Sequence, residues 1–130
     1  MKEEVELSRP MFNFEKLDAW NKAIVLANTV YEATKSFPAD ERFGLTNQLR
    51  RAAVSISSNL AEGCSRSSQS DFARFVEIAT GSAFEVASQV VIARDQGYLS
   101  TAQFQSIQAG ALEITRMLSG LRQTLLRAKD

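Results

Sequence analysis

Leu45, Leu49, Ala52, Ile56 and Leu60 recur three and four residues apart, through and just ahead of the stretch QLRRAAVSISSNLAEG that runs from Gln48 to Gly63. That spacing places them on one narrow face of a helix. The same stretch carries a polar stripe: Gln48, Arg51, Ser55, Ser58 or Asn59, and Glu62. Between the stripes it is rich in Ala and Ser and poor in Lys and Glu, a composition unusual for a helix facing water. Small side chains let another backbone approach closely. The stretch therefore predicts a helix covered on more than one side, and the rest of the chain must supply the cover.

Three further segments can do so. Leu17, Trp20, Ile24, Ala27, Tyr31 and Thr34 form an a/d seam, widened by Ala23, Leu26 and Val30, in a helix that begins at Phe14 and that Pro38 closes. Pro38, Asp40 and Gly44 punctuate a connector, and Thr46 is the expected N-cap of the second helix. Gly63 suits a left-handed position at its end. After the polar loop CSRSSQ, Ser70 (with Ser68 as rival) caps a third helix whose line is Phe72, Phe75 or Val76, Ala79, Ala83, Val86, Val90 and Ala93. Ile78, Phe84, Val91 and Ile92 lie off that line and suggest a second buried face, with Gly81 and Ser82 allowing close approach. Gly97 ends it. Ser100 or Thr101 opens a fourth helix carrying Phe104, Ile107, Ala111, Ile114, Leu118, Leu121 and Leu125.

Four amphipathic helices over 13–36, 46–63, 70–97 and 101–128, with short connections, predict an all-α fold, an antiparallel up-down four-helix bundle. It occupies residues 13–130, after a loose, charged arm over 1–12. The chain of 130 residues fits one domain. Fifteen basic and fifteen acidic residues cancel, so the overall positive field of a dedicated nucleic-acid binder is lacking. Histidine is absent, which removes the commonest general base and metal ligand together. Cys64 is the single cysteine, so a reducing compartment is expected. The N-terminus lacks the apolar run of a secretory signal, and no stretch reads as a membrane span. A cytoplasmic protein without cofactor or metal is the expectation.

Several pieces, in order and spacing, resemble the four-helix-bundle proteins encoded by intervening sequences within bacterial 23S ribosomal RNA genes. They are Leu17-x-x-Trp20-x-x-Ala23, Tyr31-x-x-Thr34, Phe37-Pro38 and Glu41-x-x-Gly44-Leu45. Gln48-Leu49-x-Arg51-Ala52, Ser55-Ile56, Asn59-x-Ala61-Glu62-Gly63, Arg74-Phe75, Ala79-x-Gly81-Ser82, Glu85 and Gly97-Tyr98 complete the set. The resemblance extends to the accessory proteins of diversity-generating retroelements. It implies a bundle that assembles into a ring of five subunits. The retroelement relatives are strongly basic and are associated with nucleic acid and a reverse transcriptase, a pattern from which this neutral chain departs. Where the family often has proline, Ser57 and Ser58 stand here, so a straighter second helix is expected.

Candidate functional positions fall into two sets. Arg51, Asn59, Glu62, Arg74 and Glu85 are polar positions that would specify assembly, through pairing of Asn59 and Glu62 with Arg51, with Arg74 or across a subunit boundary. The competing reading gives them capping and bridging roles within the chain. Arg116, Arg122, Arg127 and Lys129 form a basic C-terminal run, and Arg50 and Arg66 add charge, so that several copies could present a cationic surface to RNA or DNA. The plainer reading is a solvated helix end favoured by the helix dipole. Glu62, Glu77 and Glu85 could in principle build a di-metal site, but the Glu-x-x-His pairs of such sites are missing. Cys64 has no neighbouring base to activate it. With no phosphate-binding or nucleophile motif, the chain reads as a non-enzymatic, homo-oligomeric scaffold, with a nucleic-acid-binding accessory module as the alternative.

Overall fold

The computed structural model describes residues 11–128. A 3₁₀ turn, Asn13–Lys16, leads into α1, Asp18–Thr34. A second 3₁₀ turn, Ala39–Glu41, precedes α2, Leu45–Cys64, followed by α3, Gln69–Asp95, and α4, Thr101–Arg127. Most of the N-terminal arm and Lys129 lie outside the described residues. α1 packs on α2 and α4, and α3 packs on the same two, while the backbones of the diagonal pairs stay apart. The result is the all-α four-helix bundle that the apolar spacing predicts. Its most extensive contacts are those of α3 with α2 and α4.

The core follows the predicted lines on α2, α3 and α4. Leu49, Ile56, Leu60, Val76, Val86, Val90, Ile107, Ile114 and Leu118 are all fully buried. Burying each of these side chains contributes roughly 1.5–3 kcal/mol, so this shared interior is the main source of stability. On α1 the inward face keeps Ala23, Leu26, Ala27, Val30 and Thr34 of the expected seam but departs from it at its large rings. Ala19, Ala23, Leu26, Ala27, Val30 and Ala33 face inward, whereas Tyr31 is exposed and Trp20 only partly buried. The two large rings sit at the flanks of that inward face.

Several ends differ from the sequence-based expectation. The first helix does not begin at Phe14, because Leu17 is extended (φ −79°, ψ 122°) and separates the 3₁₀ turn from α1. This break lets Phe14 fold onto Trp20, ring centroids 4.9 Å apart. The Asn21 amide then donates to the carbonyls of Glu15 and Leu17 and fixes the corner. At α2, Thr46 is buried inside the first turn and is not the N-cap. The Glu41 carboxylate takes that role, accepting the Leu45 N–H at 3.0 Å. It reaches across Gly44, where a Cβ would stand 2.7 Å from Glu41 Oε1. Gly63 lies within α2 and has no left-handed conformation; Gly97 is the glycine with positive φ, +79°. Gly63 is instead a packing position, since a Cβ there would meet the Phe72 ring at 2.7 Å. Ser68, not Ser70, caps α3 by accepting the Asp71 N–H, and Ser100 caps α4 in a capping box with Gln103. α2 runs uninterrupted through Ser57 and Ser58.

Candidate functional site

The polar stripe of α2 meets a matching stripe on α3. Gln48, Arg51 and Ser55 on one helix, and Ser82, Glu85 and Gln89 on the other, line an open groove of about 480 Å³. Two hydroxyls form its floor: Ser55 Oγ and Ser82 Oγ lie 2.9 Å apart. The Asn59 amide donates to Ser55 Oγ at 3.0 Å and to the Ser55 carbonyl at 2.8 Å, so Asn59 braces this contact from within. At the rim Gln89 Oε1 is buried without a hydrogen-bond partner.

The five predicted assembly residues divide sharply. Asn59 is satisfied within α2. Glu62 pairs with Arg66 at 3.0 Å, and Arg66 also approaches Asp71 at 3.7 Å. Arg74 pairs with Asp71 at 3.2 Å, and both Arg66 and Arg74 lie over the Phe75 ring, 4.5 and 4.6 Å from its centroid. This knot fastens the α2–α3 turn, where all three arginine-to-acid contacts are local. Arg51 and Glu85 remain. Among the described residues they are the charged side chains of α2 and α3 without an ion pair, hydrogen bond or ring partner, and they line the same groove.

Of the predicted basic set, Arg50, Arg66 and Arg122 are engaged within the chain. Arg50 donates through Nε to Thr34 Oγ1 at 2.8 Å and stacks on Tyr31 at 4.6 Å, fastening α2 to α1. Arg66 belongs to the knot just described. Arg122 reaches Glu77 on α3 at 3.2 Å. Arg116 and Arg127 are exposed on α4. Glu62, Glu77 and Glu85 do not come together, and among the described residues no cluster of His, Cys, Asp or Glu is placed to hold a metal ion. Burial pushes the Cys64 thiol up from its ordinary range, which disfavours the reactive thiolate.

α3 corrects one expectation. By length and composition it is apolar enough to cross a membrane, although only 39% of its most apolar 18-residue stretch is buried. The second apolar face expected from Ile78, Phe84 and Ile92 is not covered within the chain: they are 43%, 64% and 51% exposed. Beside Phe84 a smaller apolar groove of about 230 Å³ opens between α3 and α4, lined by Ala87, Ala111 and Leu112. Ser82 and Gln89 were absent from the candidate set. Their signal was the run Ser82, Glu85, Gln89 at three- and four-residue spacing, which mirrors Gln48, Arg51, Ser55 on α2.

Fold and groove together define a four-helix-bundle protein whose distinctive chemistry lies on the outer faces of its second and third helices. The chain belongs to the 23S rRNA-intervening sequence protein family, whose family model it matches over residues 15–120. It is similar to the crystal structure of a protein of unknown function from the S23 ribosomal protein family of Bacteroides thetaiotaomicron. The TM-score is 0.73 at 22% identity, over 81% of this chain and 98% of that one. No functionally curated protein matches significantly.

Proposed function

We propose that this chain is a cytoplasmic, non-enzymatic, homo-oligomeric scaffold that assembles into a closed ring through the outer faces of α2 and α3. Five subunits is the number its family resemblance implies. The observation that carries this reading is the outer face of α3. Ile78, Phe84 and Ile92 stand exposed on a helix that already packs two neighbours, with Gly81 opening space beside them. A helix that keeps large apolar side chains on the face opposite its core is suited to a further partner. The alternative, nucleic acid held by basic helix ends, has less support, because Arg50, Arg66 and Arg122 are engaged within the chain.

The test is the double substitution Phe84→Glu with Ile92→Glu. Neither side chain contributes to the buried core, so helicity by circular dichroism should be retained while the assembly falls to single chains of 14.4 kDa. A double variant that keeps the assembled mass would remove α3 from the interface.

A further inference from the structure

We infer that Arg51 and Glu85 pair between protomers, the Arg51 guanidinium of one copy seated on the Glu85 carboxylate of the next across the α2–α3 groove. The inference rests on the assembly reading above and names the contact that sets its register. Its basis is selective satisfaction. Among the described residues, every other charged side chain on α2 and α3 has found a partner, often two: Arg50 with Thr34 and Tyr31, Glu62 with Arg66, Arg74 with Asp71, Glu77 with Arg122, Arg94 with Asp95. Arg51 and Glu85 flank one groove, carry opposite charge and have none.

The occupant follows from that complementarity. One cation and one carboxylate on each copy let successive copies join head to tail, the arginine of one meeting the carboxylate of the next. Around a ring, each protomer gives Arg51 to one neighbour and receives the other neighbour's arginine on Glu85. The groove floor suits close approach, since Ala52, Ser55 and Ser82 are small and a Cβ at the adjacent Gly81 would meet nothing within 4 Å. Ile78 and Ile92 lie one α-helical step of seven residues to either side of Glu85, so the pair would sit between two exposed apolar side chains. Water exclusion by those side chains strengthens a bidentate arginine–carboxylate contact.

Charge reversal tests the pairing. Arg51→Glu and Glu85→Arg, each alone, should lower the mass measured by light scattering on a sizing column from the assembly to the single chain. Arg51→Glu combined with Glu85→Arg should restore the assembled mass, and circular dichroism should show all three variants folded. Three results overturn the inference: single reversals that keep the assembled mass, a double reversal that stays dissociated, or single reversals that lower thermal stability at unchanged mass, which would place the pair inside one chain. A wild-type chain that is itself monomeric overturns the assembly reading as a whole, whatever the variants do.

Discussion

Ser55 on α2 and Ser82 on α3 face one another with their hydroxyl oxygens 2.9 Å apart, at the floor of the groove between the two helices. Small polar side chains at this contact bring the helices close and hold a hydrogen bond that Asn59 extends. Ser82→Leu removes the Ser55–Ser82 hydrogen bond and puts a larger side chain where the two helices are in close contact. It should destabilise the fold by roughly 1–3 kcal/mol, read as a lower urea midpoint. An unchanged midpoint would show that the helices can part without cost.

Glycine substitutions should split by location. Gly63→Ala gains helix propensity but sets a Cβ 2.7 Å from the Phe72 ring and 3.0 Å from Phe75 Cβ, so a net loss of stability is expected. Gly120→Ala meets nothing within 4 Å and should stabilise by about 0.5–1 kcal/mol. Thermal melts of the two variants, moving in opposite directions, check this. Parallel shifts would contradict the packing role assigned to Gly63.

The end of the bundle carries a pH-dependent contact. The Tyr98 hydroxyl donates to Glu41 Oε2 at 3.1 Å, beside the Phe37 ring at 5.3 Å. That hydrogen bond, then desolvation, then the charges of Glu41 and Asp40 push the Tyr98 hydroxyl above its ordinary value. A raised folded-state pKa favours the neutral phenol in the folded chain. Its contribution is therefore complete below about pH 10 and is lost as pH climbs through the raised folded value. Tyr98→Phe should be less stable than wild type near neutrality, and the difference should shrink on the alkaline side. Urea midpoints taken across that range give the answer; a difference independent of pH would contradict it.

Cys64 should alkylate more slowly at neutral pH than a free thiol, because burial holds it protonated, and at the ordinary rate in denaturant. Rapid labelling of the folded chain would contradict this.

Where side-chain periodicity alone decides structure, the sequence was legible. The buried lines of α2, α3 and α4 fall on the expected residues, because apolar burial at helical spacing leaves few alternatives. On α1 the expected Ala23, Leu26, Ala27, Val30 and Thr34 are buried, and Ala19 and Ala33 take inward positions. Trp20 and Tyr31 weigh heavily as apolar residues in the sequence yet stay partly exposed. Helix ends were less legible, since they depend on contacts distant in sequence. Glu41 caps α2 and receives the Tyr98 hydroxyl, joining two pieces of the family pattern that spacing cannot show to be neighbours. Gly63 has the composition of a helix stop and the surroundings of a packing site. Local acids near the α2–α3 turn absorb Glu62 and Arg74, and only the three-dimensional arrangement shows that Arg51 and Glu85 are left facing one groove.

Light scattering on a sizing column, with absorbance followed at nucleic-acid and protein wavelengths, tests the central claim most directly. The account predicts a single species at a small whole multiple of the 14.4 kDa chain, five on the family resemblance, with a protein-like absorbance ratio. A species at the mass of one chain would contradict it, and so would an assembly that forms only with nucleic acid and falls apart when salt strips that away.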